Sequence, residues 1–222
     1  KWQQLIIDDI SLGTLSGEFE MAPDIRAILE KSFKPNPGRA EELEKILKAN
    51  GRLLPKCFWP NIKLIECWQG GMMKLYIKEL EDYFGPLPKR DIGCVSTEAR
   101  NSIPINDDTA SGVLAIRTNF FEFILKEEVA KPDRRTLLCT ELREGEEYFI
   151  IVTTAGGLYR YNIDDIIKVT GYFKQTPLIE FVQKGLGATS LAGEKLYESH
   201  VNEAITSVME KEKVRLEFFC AV

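Results

Sequence analysis

The chain has 222 residues, with 29 Lys+Arg against 34 Asp+Glu and a single His, for a net charge of −5. Hydrophobic residues make up 44% and charged residues 28%, a globular balance with enough chain for a sizeable core, which excludes disorder and fibrous repeats. The longest apolar runs are about five residues, such as Tyr148–Val152, so no segment reads as a membrane span. The acidic balance and the lack of a basic cluster argue against a nucleic-acid partner. His200 alone cannot build a multi-His zinc site, and nothing around it resembles a nucleophile elbow. Five cysteines, an odd number with no C-x-x-C pair, read as reduced thiols and point to a cytoplasmic protein. The chain opens at Lys1 and runs out of an apolar stretch at Cys220-Ala221-Val222, so we expect a fragment of a longer protein.

In chain order, Trp2–Ile10 reads as a helix tail and Ala22–Phe33 as a second helix, with Pro23 suited to its first turn. Arg39–Lys48 has Leu43, Ile46 and Leu47 at helical spacing, with Gly51 as a stop signal. Ile62–Cys67 is a short β-rich run; Gln69-Gly70-Gly71 then opens a helix over Met72–Tyr83. A second short strand, Ile92–Val95, ends at Ser96-Thr97-Glu98. This order predicts a mainly parallel sheet covered by helices. From residue 112 on the pattern turns to β: Gly112–Thr118, Phe120–Leu125, Thr136–Leu142, Glu147–Thr153, Gly157–Tyr161, Ile166–Thr170 and Leu178–Gln183, several with period-2 alternation, which reads as an antiparallel sheet or distorted barrel attached to the α/β part. After Lys184-Gly185-Leu186-Gly187 a helix over Lys195–Lys211 and a strand over Val214–Cys220 are expected. The glycine-rich joint is a candidate hinge between domains.

Three loops at strand ends carry candidate chemistry. In Gln69-Gly70-Gly71 the adjacent glycines let backbone N–H groups approach an anion or a flat ring, or simply make a tight turn. In Ser96-Thr97-Glu98 two hydroxyls can donate to phosphate oxygens while Glu98 holds a hard cation such as Mg²⁺; the same residue types also cap turns. In Gly156-Gly157-Leu158-Tyr159-Arg160-Tyr161-Asn162-Ile163-Asp164-Asp165 a carboxylate at a strand end can accept ribose hydroxyls, or the segment is a solvated turn. Phe120, Phe121, Met72 and Met73 are candidates for an apolar substrate wall, or for plain core.

The stretch from Tyr148 to Gly171, with Val152-Thr153-Thr154, Gly157-Leu158-Tyr159-Arg160-Tyr161 and Asp165 inside it, resembles the V-V-T-T-x-x-G-L-Y-R-Y-R-x-G-D-V-x-x-V-T-G motif. That motif belongs to the Gretchen Hagen auxin-responsive family of acyl acid amido synthetases, in the adenylate-forming superfamily. Phe120-Phe121-Glu122-Phe123-Ile124 resembles the family's Y-F-E-F strand, Ser96-Thr97-Glu98 the end of its Y-x-S-S-E motif, and Gly193-Glu194-Lys195-Leu196 a bacterial-type G-E-K-L. The matches fall in family order over roughly residues 57 to 210.

The resemblance implies a mixed α/β fold, in which a large domain of sheet and helix layers plus a distorted β-barrel is followed by the start of a small C-terminal domain. Residues 1–183 would be part of the large adenylating domain, and 184–222 the hinge and the beginning of the small one. It implies ATP and Mg²⁺ as cofactors, and as partners a small carboxylic acid, which is adenylated, and an amine or amino acid, which takes the acyl group. The chain is expected to act as a monomer. By the same resemblance Thr97, with Ser96, contacts the α-phosphate, Glu98 holds Mg²⁺, Asp165 binds the ribose, Lys195 reaches the phosphates from the C-terminal domain and Gly71 lines the acyl and adenylate pocket. Glu98 and Lys195 would be the catalytic pair. The chain departs from the family at Cys94, where an adenine-side Tyr is expected, at Asn162 for Arg, at Asp164 for Gly, and at Lys184-Gly185 where Arg follows the strand. The family's Ser/Thr/Gly phosphate loop falls upstream of Lys1, so the fragment alone is expected to be inactive. A non-catalytic acyl- or nucleotide-binding relative and an acyl-CoA ligase-like enzyme are the alternatives.

Overall fold

The computed structural model describes residues 2–185, 188–191, 194–214 and 216, with the backbone alone at 188–191 and 194–199. It divides into two compact units, residues 1–62 with 81–86, and residues 63–80 with 87–222. In the first unit α1 (Gln3–Leu12) stops at Gly13, which takes a left-handed φ of +68°. Proline opens α2 (Pro23–Glu30), α3 (Pro37–Asn50) and α4 (Pro55–Phe58), where its fixed φ and missing N–H suit a first turn. Asn36 caps α3 by accepting from Arg39 N at 3.0 Å, and Gly51 ends it at φ +71°. Ile7, Ala40 and Leu43 form the core of this unit, with Ile10, Leu47, Leu53 and Phe58 packed around them.

In the second unit β1 (Ile65–Glu66) runs parallel to β2 (Lys89–Arg90). The helix expected over Met72–Tyr83 is broken into a 3₁₀ turn at Gly71–Met73, α5 (Lys74–Ile77) and, with residues 81–84 counted in the first unit, α6 (Leu80–Phe84). Six strands then form one sheet: β3 (Ser102–Pro104), β4 (Gly112–Leu114), β5 (Phe120–Leu125), β6 (Glu147–Thr153), β7 (Tyr161–Phe173) and β8 (Thr176–Lys184), in the order β3-β4-β8-β7-β6-β5. Every pairing in it is antiparallel. This is the antiparallel sheet expected from residue 112 on; of the mainly parallel sheet expected in the first half, β1 with β2 is the one parallel pair among the described residues. The tightest connection leaves no room for a crossover. Between β7 and β8 only Lys174 and Gln175 intervene, with Lys174 at φ +57° as a two-residue hairpin turn requires.

Both faces of this sheet bury side chains, so β6 reads as a continuous apolar run rather than an alternating one. Phe121, Phe123, Tyr148, Ile150, Val152, Ile167, Val169 and Ile179 share the larger cluster; Ile124, Phe149, Ile151 and Ile166 share the smaller one. The sheet's edges are β3, which ends in Pro104, and β5, whose outer side meets Leu137. Phe123 N donates to Leu137 O at 2.9 Å and Leu137 N to Phe123 O at 2.7 Å. Beyond that bridge the expected strand Thr136–Leu142 becomes a 3₁₀ turn at Cys139–Glu141, where Glu141 accepts from Leu138 N at 2.8 Å.

β9 (Ala188–Leu191) and β10 (Glu194–Tyr197) form a separate antiparallel pair, followed by α7 (Glu198–Glu212). Lys195, expected to open a helix, is on β10 opposite Ser190: the short, small-residue run of β9 gives it a strand partner that periodicity does not reveal. Lys195's side chain, Gly193 and most of the expected strand Val214–Cys220 lie outside the described residues. No described helix is long and apolar enough to cross a membrane.

Candidate functional site

Asp91 organises two loops. It is 4% exposed, and its carboxylate accepts Gln69 N through Oδ2 and Gly93 N through Oδ1, both at 2.6 Å. Gln69, also buried, donates its side-chain amide to Lys89 O at 3.0 Å and to Thr109 O at 3.3 Å. The glycines beside them are required by close backbone approach. A Cβ on Gly70 would meet Phe181 O at 3.1 Å, and one on Gly71, at φ +54°, would meet Val182 O at 3.2 Å. On Gly93, at φ +92°, it would fall 2.7 Å from Ser102 O. The loop Asp91–Cys94 is not the strand expected there, because Asp91 takes the Gly93 N–H and the positive φ of Gly93 breaks the extended path.

The chain then turns back through a bridge between Val95 and Arg100. Ser96 N donates to Ala99 O at 2.9 Å, and Ser96 Oγ accepts from Ala99 N at 3.2 Å. Ser96's hydroxyl therefore closes the turn, and Thr97 and Glu98 form its tip, Thr97 exposed and Glu98 half-buried. Below them Cys94 is buried; its N–H donates to Ser102 Oγ at 2.9 Å. Burial pushes its thiol up to about 12, with the charge of Asp165 adding to the effect and the Asn101 amide opposing it.

Asp165 reaches the same place from β7. Phe149 pairs with Ile166 and Ile151 with Asn162, so Ile163–Asp165 bulge opposite Ile150 alone. Asp164, where the resembling family has Gly, sits at φ +61°, and the Asn162 side chain accepts from Asp164 N at 2.9 Å. Asn and Asp tolerate this region better than other side chains because they bond locally. The next residue, Asp165, is 4% exposed. Lys184, its partner across the β7–β8 ladder, brings Nζ to 2.5 Å from Asp165 Oδ1 and donates to Ile163 O at 2.9 Å. The approach to Oδ1 is a charge contact without the alignment of a hydrogen bond. Burial raises the Asp165 carboxyl above the usual range, against the pull of Lys184. For Lys184, partial burial works downward, and the carboxylates of Asp165, Glu98 and Asp164 outweigh it, leaving the ammonium above its ordinary range. Gly185 follows because any Cβ there would overlap the Phe149 ring and Asp164 Oδ1.

These elements enclose a cavity of about 570 Å³. Gly71, Ser96, Thr97, Glu98 and Asp165, separated in sequence, all line it, joined by Asp91, Cys94 and Lys184. Met72 and Met73 line it as well; Phe121 is in the sheet core and Phe120 is exposed on β5, so the apolar wall read from the sequence is half realised. Arg160 is turned to another task, gripping Glu122 with two bonds of 2.9 Å. The sequence alone did not mark Asp91 or Trp68 as site residues, and marked Lys184 only as standing where the family has Arg. The Asp-x-Gly spacing of an Asx turn was the available signal for Asp91; Trp68 immediately precedes the glycine loop.

The GH3 family N-terminal domain matches residues 1–89 and the GH3 family central domain residues 112–184. A jasmonoyl–L-amino acid synthetase of Nicotiana attenuata, JAR4, is 31% identical over 98% of this chain and 39% of its own length. A probable indole-3-acetic acid-amido synthetase of Arabidopsis thaliana, GH3.1, is 30% identical over 92% of this chain and 35% of its own. The solved structure of the acyl acid amido synthetase AtGH3.15 in complex with 2,4-DB superposes with a TM-score of 0.80 at 26% identity, covering 98% of this chain and 38% of that one. The chain thus spans less than two-fifths of the length of these relatives. With its N-terminal and central portions both matched by models of one family, and its mixed α/β fold shared along nearly its whole length, the chain belongs to the GH3 family.

Proposed function

We propose that this chain carries the central part of an ATP- and Mg²⁺-dependent acyl acid amido synthetase. In the reaction a carboxylate oxygen attacks the α-phosphorus of ATP and pyrophosphate leaves; an amine, such as that of an amino acid, then attacks the acyl carbon and AMP leaves. The observation that carries the reading is the convergence of Gly71, Ser96, Thr97, Glu98 and Asp165 on one cavity; the names of the relatives support it. Thr97 would contact the α-phosphate, while Ser96 holds the turn that presents it. Asp165 would accept ribose hydroxyls through Oδ2, which has no protein hydrogen bond among the described residues, while Lys184 steadies Oδ1. Glu98 would hold Mg²⁺. The donor set fits that ion: the carboxylate of Glu98 lines the cavity beside the hydroxyl of Thr97, and Mg²⁺ is commonly held by one or two carboxylates plus phosphate oxygens and water. Bound there, the ion would offset phosphate charge as the acid attacks.

Lys195 would reach the phosphates from a C-terminal domain beginning near residue 184, a division supported by the separate pairing of β9 with β10. A monomeric chain in the cytoplasm belongs to the same reading, the compartment supported by free thiols at Cys57, Cys67, Cys94 and Cys139. The test is pyrophosphate release by the full-length protein over a panel of acids and amino acids, with Glu98→Gln beside it. Loss of one electrostatic stabiliser should slow release about 100-fold or more. An unchanged rate removes Glu98 from the metal site. Silence of the wild type on every acid favours the non-catalytic binding relative, to which the departures at Cys94, Asn162 and Asp164 point.

A further inference from the structure

We propose that Trp68 is the stacking platform of the cavity, the surface on which a flat π-ring of the bound ligand lies. The proposal rests on reading the cavity as the nucleotide and acyl-acid site. Trp68 lines the cavity and is 54% exposed, although a tryptophan contributes most by being covered. The other two tryptophans are also partly exposed, but each is engaged within the protein: Trp2 lies 5.4 Å from the Phe19 ring and Trp59 4.8 Å from the Phe58 ring. Trp68 has no ring contact among the described residues. It also sits on a fixed backbone. On one side Cys67 N donates to Arg90 O at 3.0 Å; on the other Gln69 N is held by Asp91 at 2.6 Å and the Gln69 side chain is bonded twice. The residue is therefore anchored at both neighbours while its ring keeps half its surface open, which is the pre-organised state that stacking needs.

The rest of the lining leaves this task to Trp68. Phe181 is the other aromatic residue there, and it packs against the sheet core. The loop Gly93–Glu98, which also lines the cavity, contains no aromatic residue. The lining thus combines hydroxyls and carboxylates, at Ser96, Thr97, Glu98 and Asp165, with apolar residues among which Trp68 is the one half-exposed ring. A ligand suited to both carries a polar group and a flat ring. Two such ligands belong to the reaction, the purine of the nucleotide and the ring of an aromatic acid, and the shared chemistry is π-stacking.

Equilibrium dialysis of AMP, 2-naphthoate and hexanoate against the full-length protein and its Trp68→Leu and Trp68→Phe variants separates the two sources, with circular dichroism to check that each variant folds. Removal of a stacking ring should weaken one flat ligand about tenfold or more, with Trp68→Phe keeping most of the affinity and hexanoate unmoved. Loss confined to AMP assigns the platform to the purine; loss confined to 2-naphthoate assigns it to the acid. If the flat ligands bind wild type and Trp68→Leu equally, or if hexanoate loses as much as they do, the stacking role is overturned while the reading of the cavity survives. If none of the three binds the wild type, both fall together.

Discussion

Replacing Asp91 with alanine probes the structural joint on which the whole cavity depends. The substitution strips the acceptor from two backbone N–H groups, Gln69 and Gly93, each bonded at 2.6 Å to a charged oxygen in a buried setting. A hydrogen bond to a charged group contributes about 1.5–3 kcal/mol, and a buried donor left without a partner loses a comparable amount. Water entering from the cavity side takes back part of this, so we expect a loss of about 3–4 kcal/mol. Against a usual total of about 5–15 kcal/mol that is a large fraction, and in a chain of this size it lowers Tm by about 10 °C. Asp91→Asn is the finer probe: one oxygen still accepts, but the amide must face the other N–H donor-to-donor, so roughly half of the loss or more should remain. Urea titration followed by far-UV circular dichroism, with a common m-value, measures both. Asp91→Ala within about 1 kcal/mol of wild type, or Asp91→Asn indistinguishable from it, would refute the clamp.

Asn162→Ala removes the side-chain acceptor for Asp164 N and should cost about 1 kcal/mol; adding Asp164→Gly, free to adopt φ +61°, should recover most of it, as a double-mutant melting series will reveal. Lys184→Met leaves the buried Asp165 carboxylate without its cation. Because burial already holds Asp165 above its ordinary range, the folded state prefers the protonated form. The variant should match wild type near pH 4 and lose ground as pH rises toward 8, by about 1 kcal/mol or less since Lys184 is half-exposed; a gap constant with pH counts against the pairing. Cys94, its thiol pushed up to about 12 chiefly by burial, should be alkylated by iodoacetamide at pH 8 far more slowly than Cys57 in the native chain, and mass spectrometry of timed samples ranks the two.

The strands β5 and β6 were legible almost to the residue, because Phe120–Leu125 and Glu147–Thr153 are β-rich runs that nothing in their own side chains disrupts. Legibility failed where a side chain redirects the backbone. Ile92–Val95 has strand composition, yet Asp91 captures Gly93 N. Gly157–Tyr161 reads as an extension of the sheet, yet Gly157 at φ +106° and Arg160 at φ +47° turn it away. Lys195 reads as helical because its strand partner is a short run of small residues. Within the site, the hydroxyl and carboxylate types at Ser96–Glu98 were visible, but not their division of labour, since the bond from Ala99 N to Ser96 Oγ is a matter of turn geometry. Asp91 escaped notice, and Lys184 was visible only as a departure from the family's Arg, because their importance lies in partners distant along the chain, Gln69 for one and Asp165 for the other.

The sheet's two borders bear on how the molecule avoids its own kind. An antiparallel sheet with free edges offers a row of unpaired N–H and C=O groups to any passing strand, the usual route to polymers. Here β3 offers three residues and closes with Pro104, which has no N–H to give. On the far side, Leu137 already occupies both backbone groups of Phe123 near the middle of β5. An incoming strand would have to displace that bridge before it could zip along the edge, so the stretch around Leu137, irregular as it is, serves as a gatekeeper against runaway strand addition.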